Sequence, residues 1–375
     1  MKVEQEVLFK LIRIALGNES CGSLPLSVDW KKVIDLSFEQ GVAAIAVDGL
    51  QRLYDKIADQ VRNDEGRHAE FDSASSALEA LDSPALEDLK YEWFGEVMNS
   101  ETSYAEHEEV LRRLVSKIRG IGAKTLLLKG LGLSKYYPIP NHRPTGDIDI
   151  YTYGHQEEVD ALMAAEGIEV NMTYEKHSTF SYRGVTIENH YIYLDSFLTK
   201  CERRVQKYLE GMTDDVLNED GYYTPSPLKN YIFLLCHKAR HFSQAECIKL
   251  RHLLDWGLFL KEEAKNLDKD AVAAKLREFG LVKTNDLFVG LAQKACGLDF
   301  SEFIIEGLPE QDIDMVVSYI LEDKTRNVPD KFLKRIGFKV KALLESRWKY
   351  KYLAITLREW IWYSFKVHLQ GKEEI

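Results

Sequence analysis

The sequence predicts an α+β protein with a small mixed β-sheet between an N-terminal and a C-terminal helical region. Apolar side chains recur at helical spacing before residue 120 and after residue 200, whereas short apolar runs and glycine turns lie between them. A chain of 375 residues is too long for one simple core. We therefore predict a helical region over 1–120, an α/β core over 121–200 and a helical region over 201–375.

Composition and charge narrow the classes of function. The chain is 45% hydrophobic and 29% charged, as in soluble globular proteins. Its formal net charge of −11 argues against a general nucleic-acid binder, although it leaves room for a local basic groove. The five cysteines show no CxxC spacing, which predicts reduced thiols. We find no signal peptide and no apolar run of about 18 residues, and we expect a cytoplasmic protein with no membrane partner.

The N-terminal region has helical periodicity. The apolar residues of its first stretch fall on one helix face; they are Val7, Leu8, Leu11, Ile12 and Leu16. The pattern continues after a turn from Val28 to Tyr54. Residues 63–82 are polar and acidic, which indicates a loose connection. Ser83-Pro84 then predicts the start of a long helix that ends near Gly120.

The core region contains four predicted strands, a short helix predicted to begin at Gly130 and a second predicted helix. KTLLLKG predicts a buried strand, and GDIDIYT predicts a second one. EVDALMAAEG predicts a helix that ends at Gly167. STFSYRG and VTIENHYIYL predict two strands joined by a turn at Arg183-Gly184. From SPLKNYIFLLCHKARHF onward the chain is predicted to be helical again.

Two carboxylates lie on one face of the second predicted strand. Residues i and i+2 of a strand project to the same side, so Asp147 and Asp149 point together. Adjacent carboxylates repel each other, and a divalent cation relieves that repulsion. Mg²⁺ takes oxygen ligands and is commonly held by one or two carboxylates together with substrate phosphates. A solvated edge strand is the alternative, which the neighbouring residues make less favourable.

The residues just before this strand favour phosphate binding. Gly130 ends the first strand where a helix is predicted to begin, and free N–H groups at a helix N-terminus attract phosphate. Neither Gly132 nor Gly146 has a side chain that would block a close approach. Lys129 and Arg143 would neutralise the rest of a triphosphate. An ordinary strand-to-helix turn with a solvated lysine is the alternative.

A two-metal site usually needs a third carboxylate on a neighbouring strand. Glu188 is the best candidate in the sequence. It shares one strand face with His190, whereas Ile187 and Asn189 lie on the opposite face. An exposed strand glutamate is the alternative interpretation.

These motifs resemble the uncharacterised nucleotidyltransferase family of the DNA polymerase β superfamily. The resemblance rests on KG…RPTGDIDIYT followed by VTIENH, over about residues 121–195. It implies a polymerase β-like nucleotidyltransferase core that uses two Mg²⁺ ions during catalysis, held by Asp147, Asp149 and Glu188. Glu188 would bind the second ion or act as base on the acceptor. NMP would pass from an NTP such as ATP to that acceptor with release of pyrophosphate.

The sequence departs from the superfamily pattern at two positions. The resemblance implies that Gly130 lies over the triphosphate, but Leu131 follows it where relatives usually have serine or glycine. The third acid is Glu188, whereas many relatives have aspartate. The stretch from Gly130 to Asp147 is also longer than in the best-known members.

The helical region after the core supplies weaker candidates. His237 and His241 lie at i, i+4 on one helix face with Lys238 between them, and we predict that these residues line the nucleotide cleft. A packed or capping pair is the alternative, and two histidines alone are weak evidence for zinc. The resemblance implies that Asp255 lies near the active site, whereas an i, i+4 salt bridge with Arg251 is the default interpretation.

Residues 324–358 form the basic part of an acidic chain, with aromatic residues interleaved. A solvated amphipathic helix face is one interpretation of this segment. A docking surface for an anionic partner, such as RNA, a phosphorylated glycan or an acidic protein, is the other.

Three functions are compatible with these observations. The leading hypothesis is Mg²⁺-dependent transfer of NMP from an NTP to an acceptor, which the sequence does not identify as a small molecule, glycan, protein or RNA. The second takes Asp147 and Asp149 as the metal motif of a nucleotide-sugar glycosyltransferase, but no large nucleotide-binding half precedes them. The third is an inactive relative that binds nucleotide or a partner as a regulatory module.

Overall fold

The computed structural model describes most of the chain. The described residues are 2–18, 24–25, 28–63, 84–173, 176–194, 200–243, 248–322, 345–359 and 361–362. The predicted connection over 63–82 and most of the basic segment over 324–358 therefore lie outside them. Among the described residues, no helix has both the length and the apolar character that crossing a membrane requires. Cys201, Cys236 and Cys296 carry free thiols.

The elements follow the predicted order of helices, sheet and helices. The helices are α1 (Val3–Ala15), α2 (Trp30–Glu39), α3 (Ala43–Asn63), α4 (Pro84–Gly120), α5 (Gln156–Ala165), α6 (Lys200–Gly211), α7 (Pro227–Ser243), α8 (Leu250–Glu263), α9 (Lys269–Phe279), α10 (Val282–Cys296) and α11 (Glu310–Ile320). The strands are β1 (Leu126–Leu127), β2 (Ile148–Tyr151), β3 (Val170–Asn171), β4 (His177–Tyr182), β5 (Val185–His190), β6 (Val216–Leu217) and β7 (Tyr223–Thr224). The α+β class is confirmed.

The sheet is mixed and has the strand order β3-β4-β5-β2-β1-β7-β6. Strand β2 pairs in parallel with β5 and antiparallel with β1, and β7 pairs in parallel with β1. Strands β6 and β7 come after residue 200, so the sheet extends beyond the end that we predicted for the core.

The hairpin between β4 and β5 has the predicted tight turn. Arg183 has φ 52° and Gly184 has φ 86°, so both central residues lie in the left-handed region that a two-residue type I′ turn requires. This turn fixes the antiparallel register in which Tyr182 faces Val185. The same register sets which side chains of the two strands lie side by side.

Helix α4 covers the apolar face of the sheet. Ile148, Ile150 and Ile187 are fully buried on that face. They share a hydrophobic core with Leu114 and Ile118 of α4, which lie one helical turn apart. A helix that we predicted within the N-terminal region is therefore part of the packing of the sheet.

The N-terminal and C-terminal helices share a second, larger core. The predicted face of α1 is buried in it, and the same cluster contains residues of α7, α8 and α10. Polar contacts join the two ends of the chain as well, because Arg13 donates to the Lys294 carbonyl at 2.6 Å and Gln40 donates to the Ile320 carbonyl at 3.2 Å. The two helical regions are thus packed against each other.

Candidate active site

Three acidic residues converge at one place on the sheet. Asp147 immediately precedes β2, Asp149 lies within it, and Glu188 lies in β5. The parallel register of β2 and β5 places Asp149 directly opposite Glu188. One carboxylate oxygen from each of the three lies within 4.8 Å of the others. The structure thus brings together the three predicted metal ligands, and their role as ligands stays a prediction.

Lys129 projects into this cluster from the end of β1. Its Nζ lies 2.9 Å from Asp149 Oδ1 and 4.0 Å from Glu188 Oε2. Burial lowers the pKa of Lys129, but the charges of Asp149, Asp147 and Glu188 act in the opposite direction and leave the pKa raised. The ammonium group is therefore charged at neutral pH, and it offsets one of the three negative charges.

Two histidines complete the surroundings, and the sequence analysis assigned neither of them a role. His190 Nε2 lies 2.9 Å from Asp149 Oδ1 and 3.3 Å from Glu188 Oε2, so its N–H donates towards both carboxylates. His177 Nε2 lies 3.7 Å from Glu188 Oε1. The position of His190 two residues after Glu188 was a usable signal. His177 reaches the site only because the hairpin register pairs it with His190.

These contacts set the charge of Glu188. Burial would raise the pKa of its carboxyl group. The hydrogen bond from His190 and the charge of Lys129 outweigh this effect and lower the pKa to about 2. Glu188 is therefore a carboxylate at neutral pH. Burial lowers the pKa of His177 to about 4 against the opposing effect of Glu188, so this imidazole is neutral under the same conditions.

The donor set fits a divalent cation. Asp149 is only 1% exposed, and its Oδ2 is buried without a hydrogen-bond partner. A buried carboxylate oxygen without a partner is costly, and a bound cation would satisfy it. Three carboxylates outnumber the single ammonium group of Lys129, which leaves an excess negative charge. Oxygen ligands of this kind suit Mg²⁺.

The glycine turn lies directly against the acids. Gly130 has φ 55°, and a Cβ atom there would lie 3.4 Å from the Asp147 carbonyl oxygen and 3.9 Å from Asp149 Oδ2. The nearest neighbour of Gly132 is another residue: a Cβ atom on this glycine would lie 3.3 Å from the Leu127 side chain. The predicted helix after the turn is a seven-residue 3₁₀-helix, Gly130–Tyr136, which lacks the aligned dipoles of a long α-helix.

We predict that Gly130→Ala weakens nucleotide binding. The left-handed backbone costs an alanine about 1 kcal/mol, and the new methyl group fills the space beside the acids. Isothermal titration with a non-hydrolysable NTP should show weaker binding than in the wild type. Gly120→Ala is the matched control, because a Cβ atom there meets nothing within 4 Å. Equal nucleotide affinity in both variants would contradict the prediction.

The loop before Asp147 is anchored by a buried ion pair rather than left open to phosphates. Arg143 Nε and Nη2 donate to Asp255 Oδ1 and Oδ2 at 2.8 and 3.0 Å, and the Tyr137 hydroxyl donates to Asp255 Oδ1 at 2.9 Å. Arg143 is 5% exposed and Asp255 4% exposed. The carboxylate of Asp255 is thus bound by Arg143, and the expected pairing within α8 to Arg251 is wrong. The third guanidinium nitrogen, Nη1, donates to the Pro144 carbonyl oxygen at 2.9 Å. Because all three guanidinium nitrogens are engaged, Arg143 positions the loop.

Further contacts hold the same loop against the N-terminal helices. His142 Nδ1 lies 2.9 Å from Asp48 Oδ1, and its Nε2 lies 3.3 Å from Glu101 Oε1. His107 Nε2 donates to the carbonyl oxygen of Gly146 at 2.6 Å. Gly146, for which we predicted a close approach to nucleotide, is therefore held through its backbone by α4.

We predict that His142 makes stability depend on pH. The hydrogen bond that His142 donates to Asp48 raises the pKa of His142 above its ordinary value, against the effect of burial. A raised folded-state pKa gives stability that is fully present below about pH 6.5 and is lost as pH rises through the folded-state pKa. Urea midpoints measured from pH 5.5 to 8.5 should therefore fall more steeply in the wild type than in His142→Gln. Parallel curves would contradict this assignment.

The family comparison matches most of the chain. A family model described as "Uncharacterised nucleotidyltransferase" matches residues 27–297. The chain belongs to this family. The matched range includes the whole sheet and every predicted site residue, and the resemblance inferred from the sequence motifs is confirmed. No curated protein and no solved structure matches the chain. Family membership supports a transferase of the nucleotidyltransferase class.

Helix α7 carries the two predicted cleft histidines side by side. His237 Nε2 and His241 Nε2 lie 3.1 Å apart. Burial lowers the pKa of both imidazoles, and the positive charges of Lys129 and Lys176 lower it further. Lys176 is a residue that the sequence analysis missed. Lys238 is buried, and its Nζ lies 5.6 Å from the Trp256 ring centroid.

Three cavities among the described residues are lined by none of the three acids of the site. One of about 420 Å³ is lined by residues of α6 and α9, including Arg204, Lys207 and Phe279. It contains none of the acidic residues and none of the histidines of the site. We therefore locate the candidate active site by its chemistry, at the open surface where Glu188 is 21% exposed and Lys129 17% exposed.

Proposed function

We propose that this nucleotidyltransferase moves NMP from an NTP to an acceptor hydroxyl or phosphate, with Mg²⁺ as cofactor and pyrophosphate as the second product. One observation carries the proposal. Asp147, Asp149 and Glu188 converge within 4.8 Å around a buried carboxylate oxygen that has no hydrogen-bond partner. Two Mg²⁺ ions during catalysis, one of them shared by Asp147 and Asp149, agree with this ligand set.

The protein's own residues would bind and orient the nucleotide. Asp147, Asp149 and Glu188 would hold Mg²⁺, which when bound neutralises phosphate charge and polarises the reacting phosphoryl group. Lys129 supplies a fixed positive charge 2.9 Å from Asp149 Oδ1. Gly130 leaves room for the phosphates beside the acids. Lys176, whose charge lowers the pKa of His177, His237 and His241, would add positive charge for the triphosphate.

In the proposed reaction the acceptor oxygen attacks the α-phosphorus. The bond from the α-phosphorus to the bridging oxygen breaks, and pyrophosphate leaves with that electron pair. When the acceptor is a hydroxyl, its proton must pass to a base. Glu188, with a pKa of about 2, is ionised at neutral pH and can accept it. Such a low pKa makes it a weak base, so its stronger contribution is to bind the cation.

An inactive nucleotide-binding module is the second candidate. The observation that favours it is the internal neutralisation of Asp149, whose Oδ1 already contacts both Lys129 and His190 at 2.9 Å. Against it stands Asp149 Oδ2, which these contacts leave without a partner. Family membership disfavours the glycosyltransferase alternative.

The acceptor, the preferred NTP and a cytoplasmic location stay predictions. The segment proposed to dock an anionic partner, 324–358, is described only from residue 345. Within the described part, Lys349 is fully buried and Lys351 forms an ion pair with Asp312 at 2.7 Å. Lys349 is thus engaged within the protein, whereas the Lys351 side chain is 61% exposed beside Asp312. A docking surface for RNA, a glycan or an acidic protein would not use Lys349.

A label-transfer assay tests the proposal. The full chain is incubated with Mg²⁺ and each α-labelled NTP, alone and with cell extract, and pyrophosphate is measured in parallel. We expect label on an acceptor together with an equal amount of pyrophosphate, and no transfer in excess EDTA. Nucleotide binding without transfer to any acceptor would instead support the inactive module, and transfer from a UDP-sugar alone would support a glycosyltransferase.

A further inference from the structure

The corner of the site around Glu188 holds a second set of ligands, and two of them are imidazoles. His177, Glu188 and His190 each offer one ligand atom within 4.8 Å of the others. Glu188 belongs to this cluster and to the carboxylate cluster with Asp147 and Asp149. The two clusters therefore share one carboxylate but differ in chemistry, because one is made of oxygens and the other is rich in nitrogen.

The spacing of these atoms matches the ligands of a single ion. His190 Nε2 lies 3.3 Å from Glu188 Oε2, and His177 Nε2 lies 3.7 Å from Glu188 Oε1. Metal–ligand bonds of about 2.1 Å place neighbouring ligands about 3.0–3.4 Å apart in octahedral or tetrahedral geometry. A small inward movement of His177 would complete the set.

The hairpin builds this cluster rigidly. His177 and His190 are register partners at the open end of the β4–β5 pair, and their ring centroids are 5.2 Å apart. His190 is fully buried and His177 is 8% exposed. Ligation through His190 Nε2 requires its proton on Nδ1, and Asp149 Oδ1 would then keep Lys129 as its partner at 2.9 Å. The carboxylate cluster can thus stay intact beside the occupied imidazole cluster.

We propose that His177, Glu188 and His190 form a binding site for a divalent transition metal, distinct from the Mg²⁺ site of Asp147 and Asp149. Imidazole ligands suit Zn²⁺, Cu²⁺, Fe²⁺ and Ni²⁺, whereas Mg²⁺ takes oxygen ligands. Because Glu188 is shared, an ion at this site lies at the edge of the proposed active site. The proposal concerns metal binding and holds whether or not the protein transfers nucleotide.

Cobalt titration tests the proposal on the full chain. The protein is stripped with chelator and dialysed, and Co²⁺ is added in the presence of excess Mg²⁺, which fills sites made of oxygen alone. We expect visible d–d absorption that saturates at one Co²⁺ per chain and is abolished by Zn²⁺. Absence of such a site in the wild type would overturn the proposal.

Three variants assign the ligands. His177→Gln should lower Co²⁺ affinity at least about tenfold, as expected when a metal ligand is removed. His177→Cys should bring in a near-ultraviolet thiolate-to-cobalt charge-transfer band, which a purely structural role of this residue would not produce. Asp147→Asn should leave Co²⁺ affinity nearly unchanged, because Asp147 belongs only to the carboxylate cluster.

A matched histidine and a folding measurement serve as controls. His155 immediately precedes α5, its side chain is 46% exposed, and it belongs to neither cluster. The variant His155→Gln should therefore bind Co²⁺ like the wild type. Circular dichroism checks that each variant is folded. Equal affinity in folded His177→Gln and wild type, with no charge-transfer band in His177→Cys, would overturn the assignment. Nucleotidyl transfer by a protein without this cobalt site would leave the proposed function standing.

Discussion

Asp149→Asn is expected to lower the rate of nucleotidyl transfer by about 1000-fold or more. Asp149 carries the unpartnered oxygen of the acidic cluster, and asparagine keeps its shape while removing the charge that would hold the cation. A factor of 1000 corresponds to about 4 kcal/mol of transition-state stabilisation, which is in the range that metal ions supply. The measurement is the initial rate of label transfer from the α-labelled NTP that the wild type prefers.

The control for this variant is a carboxylate on the same domain that lies far from the acids. Glu158 on α5 has a side chain that is 59% exposed, so Glu158→Gln should transfer label at the wild-type rate. Circular dichroism and a thermal melt check that Asp149→Asn is folded. A folded Asp149→Asn protein with more than a tenth of the wild-type rate would exclude Asp149 as an essential cation ligand.

Arg143→Met is expected to lower the free energy of unfolding by about 3–5 kcal/mol. The substitution removes a bidentate partner and leaves the carboxylate of Asp255 buried without its counter-charge, which is the costly way to break a buried pair. Burial alone would raise the pKa of Asp255, yet Arg143 holds it at about 2, so the pair depends strongly on the guanidinium. Urea unfolding followed by fluorescence measures the loss.

The double variant Arg143→Met/Asp255→Leu tests the same pair more sharply. Replacing both charges with apolar groups removes the buried unpaired charge, so this variant should be more stable than Arg143→Met alone. Lys31→Met is a control on an exposed ion pair with Asp35 and should change stability little. If the losses in free energy of unfolding of Arg143→Met and Asp255→Leu simply add in the double variant, the two residues are not coupled as described.

Local pattern was sufficient to predict the elements that carry the acids. The alternation around Asp147 and Asp149 indicated a strand with one buried face, and Ile148 and Ile150 are fully buried there. The Arg183-Gly184 pair predicted the hairpin turn, because Gly184 takes the positive φ that such a turn requires without steric cost. Each of these predictions depends on residues within a few positions of one another.

The roles of Arg143 and Asp255 could not be predicted from local sequence pattern. The sequence suggested phosphate contact for the arginine and a helical salt bridge for the aspartate. The two residues are 112 positions apart in the chain, and only the packing of α8 against the loop brings them together. Charge and sequence spacing alone favoured Arg251, four residues away, as the partner of Asp255.

Local features of the amino-acid sequence were enough to predict the α+β class, the order of helices and strands, the projection of Asp147 and Asp149 to one side, and the family. Hydrophobic periodicity and turn residues are local properties, and strand geometry makes the position of i+2 certain once a strand forms. Three features follow only from the three-dimensional packing. Glu188 lies opposite Asp149, Lys129 forms an ion pair with that aspartate, and His177 lies beside His190. Strand register depends on residues that are far apart in the chain, because the buried faces of neighbouring strands must match and the hairpin turn fixes their alignment. It therefore cannot be predicted from a short stretch of sequence.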